Sequence, residues 1–173
     1  MRYLMMMVLS VVCITTIAQK NDAKLEQQLR GLIQGFNGDV GIYVHDLKKG
    51  KTVAINADTI FPTASIVKIS ILAGVMDKIS RGELDYKQRL TYTDSLYYQY
   101  GDDIMSLAKP GSTIELGKVI MLMLTISDNC ASLWLQGLSG GGTRINQIVD
   151  SLGLKDTRVN SRTPGREATA DAR

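Results

Sequence analysis

The sequence predicts an α+β fold: a helical domain beside an antiparallel sheet, of which only the first helix and two strands are present. Three observations predict it. One segment near the start repeats its apolar residues at helical spacing, two short runs then alternate with a period of two, and every later apolar run is helical again. A lone hairpin has too few strands to bury a sheet face. More strands are therefore expected, either from a partner or from a C-terminal part that the sequence lacks. The 173 residues, 45% hydrophobic and 21% charged, suit one globular unit with a sizeable core and exclude a disordered chain.

The elements follow in order. Met1-Arg2 opens a short positive region, Leu4 to Ile17 is mostly apolar, and Thr16-Ile17-Ala18 has the small-x-small form of a cleavage site, so residues 1–18 read as a signal peptide. The apolar stretch is short for a membrane span and is broken by Ser10, Thr15 and Thr16, which favours export over anchorage. Cys13 raises a lipoprotein alternative, against which stands Val12, where a small residue is preferred. The mature domain, 19–173, then divides into 19–58, the start of an α/β part, and 59–173, a helical part with the start of an active-site loop.

Leu25, Leu29, Leu32, Ile33 and Phe36 mark the first helix, stopped by Gly35, Asn37 and Gly38. Val40, Ile42 and Val44 alternate, Lys48-Lys49-Gly50-Lys51 turns, and Val53 and Ile55 alternate again, giving a hairpin. Pro62 precedes Ile66 to Ile79, an almost wholly apolar run closed by Arg81-Gly82, which predicts a buried helix. Ser112-Thr113-Ile114-Glu115 has the form of a capping box before a helix bearing Leu116, Val119, Ile120, Met123 and Leu124, with Met121 and Met123 expected in the core. A short helix follows Asn129 as far as Gln136. Gly140-Gly141-Gly142 leads into a last helix with Ile145, Ile148, Val149 and Leu152, capped by Gly153.

Charge and composition narrow the chemistry. The net charge of +3 comes from scattered basic residues without aromatic interleaving, so no nucleic-acid surface is predicted. Once residues 1–18 are removed, Cys130 is the only thiol and His45 the only imidazole; no disulfide, zinc set or other metal site is expected, nor any cofactor. Cys130, followed by Ala131-Ser132-Leu133-Trp134-Leu135, reads as a buried packing residue.

Two motifs carry chemistry. In Ser65-Ile66-Val67-Lys68 a serine three residues ahead of a lysine shares a helix face with it, so the amine can take the hydroxyl proton. A helix N-terminus at Ser65 would also aim backbone N–H groups at a developing oxyanion. Ser106-Leu107-Ala108-Lys109 has the same spacing but neither the preceding proline nor the apolar helix behind it. In Ser127-Asp128-Asn129, Ser127 could relay a proton to a leaving nitrogen, Asn129 could hold a substrate amide, and Asp128 could brace the loop through backbone N–H groups. Taken singly, the first motif is an ordinary helix start with a snorkelling lysine and the second a helix-capping turn. Their joint occurrence in this order favours an acylatable serine site.

With these motifs the chain resembles class A serine β-lactamases and their penicillin-recognising serine hydrolase relatives. The resemblance runs from the first helix through Thr157-Arg158. It implies Ser65 as nucleophile, Lys68 as base, Ser127 as proton relay, Asn129 as a substrate contact and Asp128 as a structural residue. It implies a β-lactam or peptidoglycan-like small-molecule substrate, a monomer in the periplasm and antibiotic resistance. Two departures qualify the implied activity. Laid without a gap on Thr157-Arg158, the family's Glu-Pro falls on Thr163-Pro164, which leaves Glu167 as the carboxylate to activate water. No Lys-Thr-Gly or Lys-Ser-Gly occurs, since Lys51-Thr52-Val53 belongs to the hairpin, so a truncated product is expected. The alternatives are a penicillin-binding DD-peptidase-like acyl hydrolase and a non-catalytic remnant.

Overall fold

The computed structural model describes residues 20–96 and 103–159. The segment read as a signal peptide, Thr163-Pro164 and Glu167 lie outside the described residues. The chain forms two compact units, the first ending at Thr59 and the second beginning at Ile60.

The first unit contains the helix α1 (Ala23–Ile33) and one sheet of β1 (Lys20–Asn21), β2 (Ile42–Asp46) and β3 (Lys51–Ile55) in the order β1-β3-β2. The expected hairpin is β2 antiparallel to β3, with Val44 opposite Val53 and Ile42 opposite Ile55. Its turn is held by Asp46, whose Oδ1 accepts the Lys48 and Lys49 N–H groups at 2.9 and 3.0 Å, while Gly50 supplies a φ of +63°. β1 adds a short parallel strand beyond the two that periodicity indicates, since two residues are too few to show a period. Asp22 caps α1 through the Leu25 N–H and pairs with Lys51 at 3.0 Å. The Lys51 ammonium, then the Leu25 N–H, hold the Asp22 carboxyl below its ordinary range, so what this cap contributes is present above that range and is lost as pH falls from it down through the lowered folded-state value.

The second unit is mainly helical: α2 (Val67–Ser80), α3 (Leu116–Thr125), α4 (Asn129–Leu138) and α5 (Gly141–Ser151). They close on one core, to which α2 gives Ile71 and Val75, α3 gives Val119 and Met123, α4 gives Leu135, and α5 gives Ile145 and Val149. Trp134 meets Tyr92 edge to face, ring centroids 6.0 Å apart. Cys130 is buried in this core, as its apolar neighbours predict.

Three sequence expectations are corrected here. Thr113–Glu115 is a strand, β5, paired with β4 (Arg89–Thr91), and α3 starts one residue later with no side-chain cap bond. The β-branched Thr113 and Ile114 took ladder partners in Thr91 and Leu90, 22 and 24 residues away, which a local capping pattern cannot register. The apolar run after Pro62 is not buried all round: a 3₁₀ turn, Ala64–Ile66, precedes α2, and Ile66, Ile69 and Met76 are exposed. Met123 is in the core but Met121 is 51% exposed, because two residues apart on a helix point about 200° apart.

Gly74 of α2 lies against Ser139, which follows α4, and Ile145 of α5. A Cβ there would stand 2.9 Å from Ser139 Cβ and 3.0 Å from Ile145 Cγ1. Gly74→Ala is therefore expected to destabilise the fold by about 1–3 kcal/mol despite alanine's better helix propensity. A denaturant midpoint equal to or above that of the parent chain would contradict this packing.

Candidate active site

Both motifs meet in the second unit. Ser65 occupies the 3₁₀ turn that leads into α2, and Lys68 lies in the first turn of α2 itself. Ser127 and Asp128 form the link between α3 and α4, and Asn129 begins α4. Ala64 and Ser127 both hold positive φ, at 43° and 61°, a conformation that costs a residue with a side chain roughly 1–3 kcal/mol. The backbone is thus strained beside the serine on one side of the site and at the serine on the other.

Lys68 is only 4% exposed. Its Nζ donates to the Ser127 backbone carbonyl, to Ser127 Oγ at 2.7 Å and to Asn129 Oδ1 at 3.1 Å. These acceptors offset the loss of water around the ammonium. Ser127 Oγ in turn donates to Ser65 Oγ at 2.9 Å. The structure thus links Ser65 to Lys68 through the hydroxyl of Ser127, a connection that the spacing of Ser65 and Lys68 alone does not predict. Ser65 and Ser127 are open to solvent, whereas the amine behind them is buried. Chemically, the arrangement can pass a proton along Ser65, Ser127 and Lys68 while leaving the Ser65 oxygen accessible.

Asp128 is 1% exposed and spans the loop: Oδ1 accepts the Ala131 N–H at 2.8 Å as the α4 cap, and Oδ2 accepts the Met105 N–H at 2.9 Å. Asp103, on the same segment as Met105, accepts the Asn129 N–H at 2.6 Å. Sequence reasoning missed Asp103, because it lies 26 residues from its partner and in no motif. Asp103, Asp128 and Cys130 bring ligand-type atoms within 4.8 Å of one another, a grouping that the cysteine and histidine count does not anticipate. Three of the four carboxylate oxygens are already committed to backbone amides. These residues fit bracing of the loop rather than coordination.

The segment that leads toward residues 160–173 is tied to α5. Arg158 Nη2 bonds Asp150 Oδ1 at 3.0 Å, and Asn146 exchanges two bonds with the Val159 backbone, at 2.7 and 3.1 Å. Neither Arg158 nor Asn146 as an anchor was evident from local sequence.

The model of the β-lactamase enzyme family matches residues 24–173. The chain belongs to this family. The β-lactamase of Streptomyces albus G is 30% identical over 152 residues, covering 82% of this chain and 48% of that protein. The β-lactamase SME-1 of Serratia marcescens is 28% identical over 144 residues, with 83% and 48% covered. This family member thus spans about half the length of the curated relatives it matches. Among solved structures, PBP-A superposes with a TM-score of 0.77 at 29% identity, over 87% of this chain and 57% of that one. An ancestral class A β-lactamase gives 0.72 at 26% identity, over 81% and 53%. The fold is therefore the α+β class of class A β-lactamases and penicillin-binding relatives, as the motifs predict.

Proposed function

We propose that this β-lactamase family chain carries the acyl-transfer machinery of a serine hydrolase that opens the β-lactam amide. The observation that carries the reading is the continuous hydrogen-bond path from Ser65 Oγ through Ser127 Oγ to the buried Lys68 Nζ. Ser65 Oγ attacks the lactam carbonyl carbon, an ester bond forms, and the ring C–N bond breaks. Lys68, once it has released a proton, takes the Ser65 proton by way of Ser127 Oγ, and then returns it through Ser127 Oγ to the departing nitrogen, so that Ser127 ends as it began. Asn129 holds the substrate's side-chain amide, Asp128 keeps the loop in place, and Glu167 is the carboxylate proposed to activate water for release. Residues 1–18 export the chain to the periplasm, where opening the ring would protect the cell from β-lactam antibiotics.

The slow-release alternative, a penicillin-binding acyl hydrolase, has one observation in its favour: a variant of PBP-A, whose fold is similar to this one, is known as an acyl-enzyme complex with penicillin G. Incubating the full chain with a fluorescent penicillin, then locating and timing the adduct by mass spectrometry, separates the two. A Ser65 adduct that disappears within seconds supports hydrolysis, and one that persists for hours supports the alternative. No adduct on folded chain would reject both. In a hydrolytic chain, Glu167→Gln is expected to lengthen the adduct lifetime by about 10²–10⁴-fold.

A further inference from the structure

We infer that Asp103 is a positioning residue for the Ser65 reaction, pinning the backbone of Asn129 so that Asn129, Lys68 and Ser127 keep their mutual geometry; this rests on the acyl-transfer reading above. Asp103 is 6% exposed, and its Oδ1 accepts the Asn129 N–H at 2.6 Å. Asn129 N is one of the amides that the start of a helix leaves without an intrahelical partner. The cap residue Asp128 serves Ala131 instead, so the amide of Asn129 is met from another segment.

The two carboxylates cross between the same segments. Asp103 reaches from the 103–107 segment to Asn129, and Asp128 reaches back to Met105. This reciprocal latch closes on the loop whose Ser127 holds the strained φ of 61°. Strained backbone persists where its surroundings over-determine it. The pinned residue then presents Oδ1 to Lys68 Nζ at 3.1 Å, and Lys68 bonds Ser127. Asp103 Oδ2 is buried and has no hydrogen-bond partner among the described residues. A buried carboxylate that leaves one oxygen unmatched is costly, and here its other oxygen serves the loop of the site.

The test compares Asp103→Ala, Asp103→Asn and Gly74→Ala in the full chain, with three readouts: melting temperature, hydrogen exchange at the Asn129 amide, and the rate of Ser65 labelling by a fluorescent penicillin. Asp103→Ala is expected to slow labelling by about 10- to 100-fold and to speed Asn129 exchange by about tenfold or more relative to Gly74→Ala. Asp103→Asn keeps an acceptor oxygen toward Asn129 and should restore labelling to within about threefold of the parent chain. Gly74→Ala should lose stability while labelling stays within about twofold. The inference is overturned if Asp103→Ala labels like the parent, if Asp103→Asn is as slow as alanine, or if Gly74→Ala slows labelling equally. Should Asp103→Ala be recovered unfolded, Asp103→Ser, whose hydroxyl falls short of Asn129 N, takes its place with the same expectations. A parent chain that is never labelled rejects the acyl-transfer reading; the Asn129 exchange rates then decide by themselves whether Asp103 pins the loop.

Discussion

Lys68→Ala is expected to slow acylation of Ser65 by about 10²–10⁴-fold, the range for loss of a positioned general base. The side chain does two things at once. It is the amine at the end of the hydrogen-bond path from Ser65, and its Nζ binds the Ser127 carbonyl, Ser127 Oγ and Asn129 Oδ1. Removing it takes away the proton acceptor and leaves the Ser127 carbonyl without that donor beside a strained residue. Lys68→Arg separates the two effects, because a guanidinium still donates but does not accept a proton at working pH. Both variants should label slowly, measured as the second-order rate with a fluorescent penicillin. An arginine variant that labels at the parent rate would remove Lys68 from the role of base.

Asp128→Ala is expected to cost about 3 kcal/mol of stability. The carboxylate caps α4 through Ala131 and accepts the Met105 amide, and it is 1% exposed. Loss of the cap costs about 1 kcal/mol, and a buried N–H left without a partner costs about 1–3 kcal/mol. For a chain of this size the melting temperature should fall by ~10 °C. Asp128→Asn retains one acceptor oxygen and loses the other, so its loss should be about half as large. Calorimetry or thermal circular dichroism checks both. A fall of under about 3 °C for the alanine variant would show that the loop does not depend on this carboxylate.

Much of the fold was legible because its signals are local. The alternation of Val53 and Ile55, the glycine that closes the hairpin turn, and the apolar spacing of Ile145, Val149 and their neighbours mark elements that the structure contains. The small sheet of β4 and β5 was not legible, since Thr113–Glu115 reads equally well as a helix cap until its partner strand is in place. The exposed side of α2 was hidden for a related reason: a run in which nearly every residue is apolar has no period from which to assign a buried face.

The site divides in the same way. By itself the sequence determined which residue types were available, Ser65 with Lys68 and Ser127 with Asn129, because spacing along one chain is enough to place a serine and a lysine near each other at a helix start. Only the tertiary structure decided that the hydroxyl of Ser127 stands between Ser65 and Lys68, and that Asp103 and Asp128 tie this loop to the 103–107 segment. Those bonds join residues 23 to 62 positions apart. Their strength depends on geometry of a few tenths of an ångström, which packing of the second-unit helices sets and which no local pattern encodes.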